Sequence, residues 1–187
     1  NEFLADQRTR PSPARVTLAQ FDSHDPFEVL IDGIELDRVR DLDRRRYRPR
    51  GCTPLYDAVG RMIRRIDRDI DRRRRRGLPE EDQIVAIVTD GLENASTRYT
   101  RSSVFRLIER RREAGWVFVF LGANQDSYAA GGAMAVAPGN RADWAASPEG
   151  SKKMWRDLSY SSHRHRAKAK AARMADRDSF YEEDPDG

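Results

Sequence analysis

Residues 84–91 have the sequence Ile-Val-Ala-Ile-Val-Thr-Asp-Gly, in which five consecutive apolar residues lead into a polar turn. A continuous β-branched run of this kind is typical of a parallel strand covered on both faces. Residues 116–121 form a second apolar run of the same character. Apolar residues at helical spacing precede each run, at 55–70 and at 104–108. Alternating strands and helices predict an α/β fold, with a doubly wound, mostly parallel sheet and helices on both faces.

The clearest helix start in the chain is at Thr53 and Pro54. Threonine is a good N-cap and proline suits the first helical position, so we expect a helix to begin with this pair. The arginine run 72–76 complements the negative end of the helix dipole, and Gly77 closes the helix.

The outer elements are predicted from weaker patterns. Residues 16–21 and 27–31 alternate like strands around a polar turn, which predicts a hairpin. A last edge strand is expected at 134–136. We expect one α/β domain over residues 1–145, followed over 146–187 by a helix and a charged, poorly ordered tail.

The composition limits the class of protein. The chain has 187 residues, of which 38% are hydrophobic and 35% charged, with a mean hydropathy of −0.84. No apolar run approaches the ~18 residues of a membrane span, so we expect no membrane association. A single cysteine excludes a disulfide-built module, and the expected location is the cytoplasm.

The positive charge is clustered, although the net charge is only +4. Basic clusters lie at 44–50, at 72–76 and at 163–173. One interpretation is a phosphate-binding surface, which makes an Arg-rich nucleic-acid-binding module the alternative function. The other interpretation is a set of solvated helix ends, because acidic residues are interleaved and aromatic residues for base stacking are scarce.

The candidate site consists of oxygen donors at the carboxyl ends of the strands, where ligands bind in open α/β sheets. Asp90 ends the 84–88 strand, and Asn124 and Asp126 follow the next strand. Thr53 lies in the loop that begins at Gly51. Carboxylate and hydroxyl oxygens suit Mg²⁺, although a strand-end aspartate is often structural and Thr53 is also explained as an N-cap.

Enzyme chemistry has no supporting motif, and we expect the chain not to be an enzyme. It has neither a G-x-x-x-x-G-K-[ST] phosphate loop nor a G-x-S-x-G nucleophile elbow. Cys52 precedes a helix N-terminus, but no histidine is near it in sequence. His163 and His165 alone, in a basic segment, are weak grounds for a zinc site.

Two motifs resemble those of von Willebrand factor A domains. Gly51-Cys52-Thr53-Pro54-Leu55-Tyr56-Asp57-Ala58 resembles the family segment G-x-T-P-L-x-D-A, and the 84–91 stretch resembles its metal-site strand, which ends in T-D-G. The likeness covers roughly residues 1–145 and is nearest to bacterial intracellular-type members. It implies a Rossmann-like sheet and a metal-ion-dependent adhesion site, at which Mg²⁺ or Mn²⁺ presents an open position to an acidic residue of a partner protein.

The resemblance also implies a role for each site residue. Thr53 would supply a hydroxyl, and Asp90 a carboxylate, to the metal or to its bound water. Gly51 and Gly91 would allow close approach of the backbone, and Asp57 would support the ligands from behind. Asn124 and Asp126 would lie at the rim.

The family's third motif, Asp-x-Ser-x-Ser after the first strand, is missing here. Asp22-Ser23-His24-Asp25 does not fit it and follows the wrong strand. We therefore expect an N-terminally truncated fragment that lacks the first strand and most of the first helix. Since the missing motif supplies most direct ligands, this chain is expected to bind Mg²⁺ weakly or not at all.

Overall fold

The structure is a computed structural model that describes residues 1–9, 13–43, 51–123 and 127–181. The helices and strands, in chain order, are α1 (Glu2–Gln7), β1 (Arg15–Gln20), β2 (Glu28–Glu35), α2 (Leu55–Arg75), β3 (Ile84–Thr89), α3 (Arg101–Glu113), β4 (Val117–Ala123), α4 (Ser127–Gly132), β5 (Arg141–Trp144), α5 (Pro148–Ala167) and α6 (Lys170–Ala175). No helix in these ranges combines the length and apolar character that a membrane crossing requires.

The strands form two separate sheets. β3, β4 and β5 lie side by side in that order, and both pairs are parallel. β1 and β2 pair antiparallel in a hairpin of their own. The predicted α/β class and the hairpin are confirmed, and β2 extends to Glu35, four residues beyond its expected end.

β4 is the centre of the molecule, and all seven of its residues are buried. On one face, Phe118 and Phe120 pack with α2 and α3 in a core cluster that also contains Val59 and Ile63. On the other face, alternate β4 residues pack with Met154 and Leu158 of α5. Helices therefore pack against both faces of β4.

β3 differs from the prediction of a strand covered on both faces. Val85 and Ile87 are buried on the side of α2 and α3. Ala86 is exposed, and Ile84 and Val88 are only half-buried on the opposite face. β3 is an edge strand of its sheet, and the cluster of Met154 and Leu158 covers this face of it only in part.

The start of α2 is also different from the prediction. The first helical residue is Leu55, and the N-cap position is taken by Pro54, which has no side chain to cap with. The expected N-cap, Thr53, lies one residue further out. The last expected strand, at 134–136, is wrong as well: these residues form a buried loop, and β5 follows at Arg141–Trp144.

The C-terminal segment is folded onto the sheet as far as residue 181. Phe180 is buried with Met154 and Leu158, and Asn140 forms hydrogen bonds to the backbone of Arg177 and Phe180. The domain boundary at 145 and the poor order expected of the charged tail stay predictions, and residues 182–187 lie outside the described ranges.

Candidate functional site

The two predicted metal ligands lie on neighbouring, hydrogen-bonded loops at the carboxyl end of β3. Asp90 and Gly91 follow this strand directly, and Thr53 precedes α2. A Cβ atom added to Gly91 would lie 2.6 Å from Thr53 Oγ1, so the hydroxyl rests against the Gly91 backbone. Any larger residue at position 91 would displace Thr53. Glycine is therefore required here because the Thr53 side chain approaches closely, and not because the backbone has a positive φ.

Hydrogen bonds join the Thr53 loop to the loop that follows β3. The amide of Thr53 donates to Asn94 Oδ1 at 2.8 Å, and the amide of Asn94 donates to the carbonyl of Thr53 at 3.2 Å. At the end of β3, the hydroxyl of Thr89 donates to the carbonyl of Gly91 at 2.8 Å. These bonds fix the separation of Thr53 and Asp90.

Glu93 replaces the missing N-cap of α2. Its Oε2 accepts from the amide of Tyr56 at 2.8 Å, and its Oε1 accepts from the amides of Ala95 and Ser96. Ser96 Oγ in turn accepts from the amide of Asp57 at 3.0 Å. Free amides of the first helical turn are thus satisfied by side chains from a distant loop, which does the work of a local capping residue.

Asp57 holds the other end of the same loop. It is 1% exposed, and its carboxylate accepts from the amides of Thr97, Arg98 and Tyr99 at 3.1, 2.9 and 2.7 Å. Burial alone would raise the pKa of Asp57, but these hydrogen bonds and the charge of Arg61 outweigh it and lower the pKa. Asp57 is therefore a buried anion that positions the loop.

The side chains of Asp90 and Thr53 differ from the carboxylates of Asp57 and Glu93 because they form no hydrogen bonds with the described residues. Asp90 is exposed, and no described residue forms a hydrogen bond or ion pair with its carboxylate. The Thr53 hydroxyl likewise has no hydrogen bond to the part of the chain that the structure describes. Both oxygen donors remain available to a ligand at this edge of the sheet.

The β1–β2 turn lies beside the Thr53 loop. Ser23 Oγ accepts from the amide of Cys52 at 3.3 Å, and a Cβ added to Gly51 (φ +58°) would meet Ser23 Oγ. Asp22 is buried and accepts from the amides of His24 and of the next residue. The turn therefore supports the Thr53 loop, a role that the sequence did not indicate.

The two candidate histidines, His163 and His165, lie on α5 and not in this group. Asn124 and Asp126 lie outside the described residues. Cys52 is exposed. His163 lies near Asp6 on α1, and His165 is buried against Phe180. Among the described residues, no three His, Cys, Asp or Glu side chains converge as a metal-binding group.

Sequence reasoning missed Glu93, Asn94 and Ser96. Their partners lie 37 to 41 positions away, so no local pattern marks them as a cap. The only signal is composition, since Glu, Asn and Ser are the side chains that satisfy free helix amides.

Comparison with known proteins gives no relative: no protein-family model matches the chain, and neither do any curated protein sequences or solved structures.

Proposed function

We propose that the chain is a protein-binding module of the von Willebrand factor A type, with its site at the carboxyl end of β3. The observation that carries this proposal is the position of Thr53 and Asp90. They lie on two hydrogen-bonded loops at the end of a parallel strand, with side-chain oxygen atoms that no described residue engages. Neighbouring carboxylates, such as Glu93 and Asp57, are fully used by hydrogen bonds within the fold.

The residues present fit a hard divalent cation in chemistry, and fall short of one in number. A carboxylate and a hydroxyl are ligands that Mg²⁺ and Mn²⁺ accept, with water completing the octahedron. When bound, the cation would offer an open coordination position to a carboxylate of the partner protein. Two donors from the described residues make a weak site, and we expect Mg²⁺ to bind these 187 residues weakly or not at all.

In this proposal each residue has a separate task. Asp90 supplies negative charge and, through a water or directly, a ligand oxygen. Thr53 supplies a neutral oxygen, which leaves the cation electrophilic toward an acidic partner. Asp57 and Glu93 hold the two loops in register, so that Thr53 and Asp90 keep their distance when the partner binds.

Paramagnetic Mn²⁺ tests the site, because its broadening of amide signals detects binding too weak for calorimetry. Titration of the ¹⁵N-labelled chain is expected to broaden the amides of Thr53 and Gly91 first. Asp90→Asn is expected to abolish this broadening, whereas Glu109→Gln, which removes an exposed carboxylate from α3, leaves it unchanged. Broadening that survives Asp90→Asn would place the cation elsewhere and overturn the site.

The partner's chemistry is tested with a fluorescein-labelled polyglutamate peptide. At saturating Mn²⁺, we expect the peptide to bind the chain, and EDTA or Asp90→Asn to release it. Binding that persists in EDTA would show attraction to the basic surface and would contradict a metal-bridged carboxylate.

A further inference from the structure

The outward side of α2 carries a straight row of arginines. Successive members are four, four and three residues apart, so at about 100° per residue they share one side of the helix. The apolar side of α2, with Val59 and Ile63, is buried in the core on the opposite side. The row consists of Arg64, Arg68, Arg72 and Arg75, all of them exposed.

Ion pairing separates this arginine row from the other arginines of α2. On the side of the hairpin, Arg65 pairs with Asp32, and Arg73 pairs with Glu81. Within the row only Arg72 has a described carboxylate partner, Asp69 at 2.6 Å, and its side chain is still 58% exposed. The fold therefore neutralises the flanks of α2 and leaves the charge of the row facing outward.

We propose that the arginine row binds the phosphate backbone of a nucleic-acid duplex, without reading its sequence. Eleven residues of helix separate the first and last arginines, a length of about 16 Å, over which one strand of a duplex presents several phosphates. The guanidinium group is planar and donates in pairs, which matches phosphate oxygens. The proposed surface is separate from the Thr53 and Asp90 site and does not depend on a metal.

The residues around the arginine row favour a nucleic-acid duplex over an anionic membrane as its partner. α3 packs beside α2 on the same face of the sheet, and it exposes Glu109 and Glu113. Asp71 is exposed at the margin of the row, where it pairs with Arg74. A flat membrane would meet all these carboxylates at once, whereas a duplex lying along α2 avoids those of α3 and meets only Asp71, which pairs with Arg74.

The absence of stacking groups in the row favours a duplex over a single strand. The row consists of arginines alone, and two rings at α2, Tyr56 and Tyr99, are packed against the core cluster. Single strands gain much of their affinity from bases stacked on aromatic side chains. Phosphate contacts alone give binding that is independent of sequence and steeply dependent on salt.

Fluorescence anisotropy with a labelled DNA duplex of about two helical turns tests the proposal. Four phosphate contacts predict a slope of log K against log salt of about −3.6, or about a 150-fold loss of affinity between 50 and 200 mM KCl. Replacement of all four row arginines by Gln is expected to remove this binding, while replacement by Lys keeps the salt dependence. Since glutamine and lysine are good helix formers, circular dichroism is expected to show α2 intact.

A matched control removes the same charge elsewhere. Arg38, Arg98, Arg101 and Arg156 are exposed and lie off α2, and their replacement by Gln is expected to leave duplex binding nearly unchanged. Equal losses in the row and control variants would show a net-charge effect and overturn the proposal. So would stronger row-dependent binding to phosphatidylserine vesicles, or no duplex binding at 50 mM KCl. Addition of EDTA separates the two surfaces, because only the Thr53 and Asp90 site needs a cation.

Discussion

Two irregular segments of this molecule are held in the same way, each by one buried polar side chain that takes the place of secondary structure. Asp57 accepts hydrogen bonds from three consecutive backbone amides of the loop after β3. Asn140 accepts from the amide of Phe180 at 2.8 Å and donates to the carbonyls of Arg177 and Phe118. Both side chains are about fully buried, at 1% and 0% exposure.

The difference between them lies in the groups that they meet. The loop near the candidate site presents only donors, so a carboxylate satisfies it and gains from being ionised. Asn140 meets one donor and one acceptor of the C-terminal segment and a second acceptor, the carbonyl of Phe118, on β4, so only a neutral amide satisfies all three. Exchange of carboxylate and amide therefore tests this difference most directly. It adds a buried negative charge at position 140 and removes one at position 57.

Asn140→Asp is expected to have the largest effect. The new carboxylate would point one oxygen at the carbonyls of Phe118 and Arg177, in a site without solvent. A buried charge without a partner costs about 3–5 kcal/mol of unfolding free energy. Burial also raises the pKa of this group, so the variant is expected to regain stability as the pH falls from 7 to 5.

Urea denaturation of Asn140→Asp at pH 7 and pH 5 measures this effect. Asn140→Ala is the control, because it loses the same hydrogen bonds without adding a charge and has no reason to recover in acid. If Asn140→Asp is as stable as the parent at pH 7, Asn140 does not fasten the C-terminal segment.

Asp57→Asn is expected to have a smaller effect, a loss of about 1–3 kcal/mol, because the amide nitrogen faces a buried N–H that it cannot accept from. The pH dependence has the usual sign for a carboxylate with a lowered pKa. The stabilisation by Asp57 is complete above the unfolded pKa of about 3.9 and is lost as the pH falls through the lower folded pKa. The parent is therefore expected to lose more stability than Asp57→Asn between pH 5 and pH 2.5.

Thermal denaturation of both proteins across this range gives the test. Asp67→Asn is a useful control, since Asp67 is also on α2 but is half-buried and pairs with Arg111 through its side chain. Parallel pH curves for the parent and Asp57→Asn would contradict the role of an ionised Asp57.

The sequence indicates Asp57 as a candidate residue but gives no indication that Asn140 is important, and the reason is physical. Asp57 lies in a recognisable motif at a helix start, where a negative charge is favoured. Asn140 follows Ala-Pro-Gly, which is typical of an exposed turn, and its partners lie 22 to 40 residues away. Burial of a polar residue depends on which distant segments pack over it, and no local pattern carries that information.

The same distinction explains the other successes and errors. The apolar run of β4 and the helical spacing of α2 are local patterns, and both predictions are confirmed. The start of α2 is misplaced because Glu93 and Ser96 supply the cap from across the fold. Residues 134–136 are apolar like a strand, but they are buried as a loop that includes Ala135 at φ +64°.

The smallest expected effect concerns His165, which brings pH dependence to the C-terminal segment. Burial is the main cause that lowers its pKa, and Arg173 and Lys168 lower it further against Asp82 and Asp176. A histidine with a lowered pKa is neutral in the folded chain, while the unfolded chain takes up a proton below about pH 6.5. The stability that depends on neutral His165 is therefore lost as the pH falls below this value.

Replacement of His165 by Gln removes the titrating group from its contact with Phe180. Between pH 7.5 and pH 5.5, the melting temperature of the parent is expected to fall more than that of His165→Gln, with the larger share of the loss below the unfolded pKa of about 6.5. His24→Gln is the matched control, because His24 is exposed in the β1–β2 turn. The loss of stability in acid would then depend on His165 in the C-terminal segment. Asp57, which holds the other segment, stays ionised over the same pH range. An equal fall in melting temperature in the parent and in His165→Gln would contradict the role of His165 in the pH dependence of the C-terminal segment.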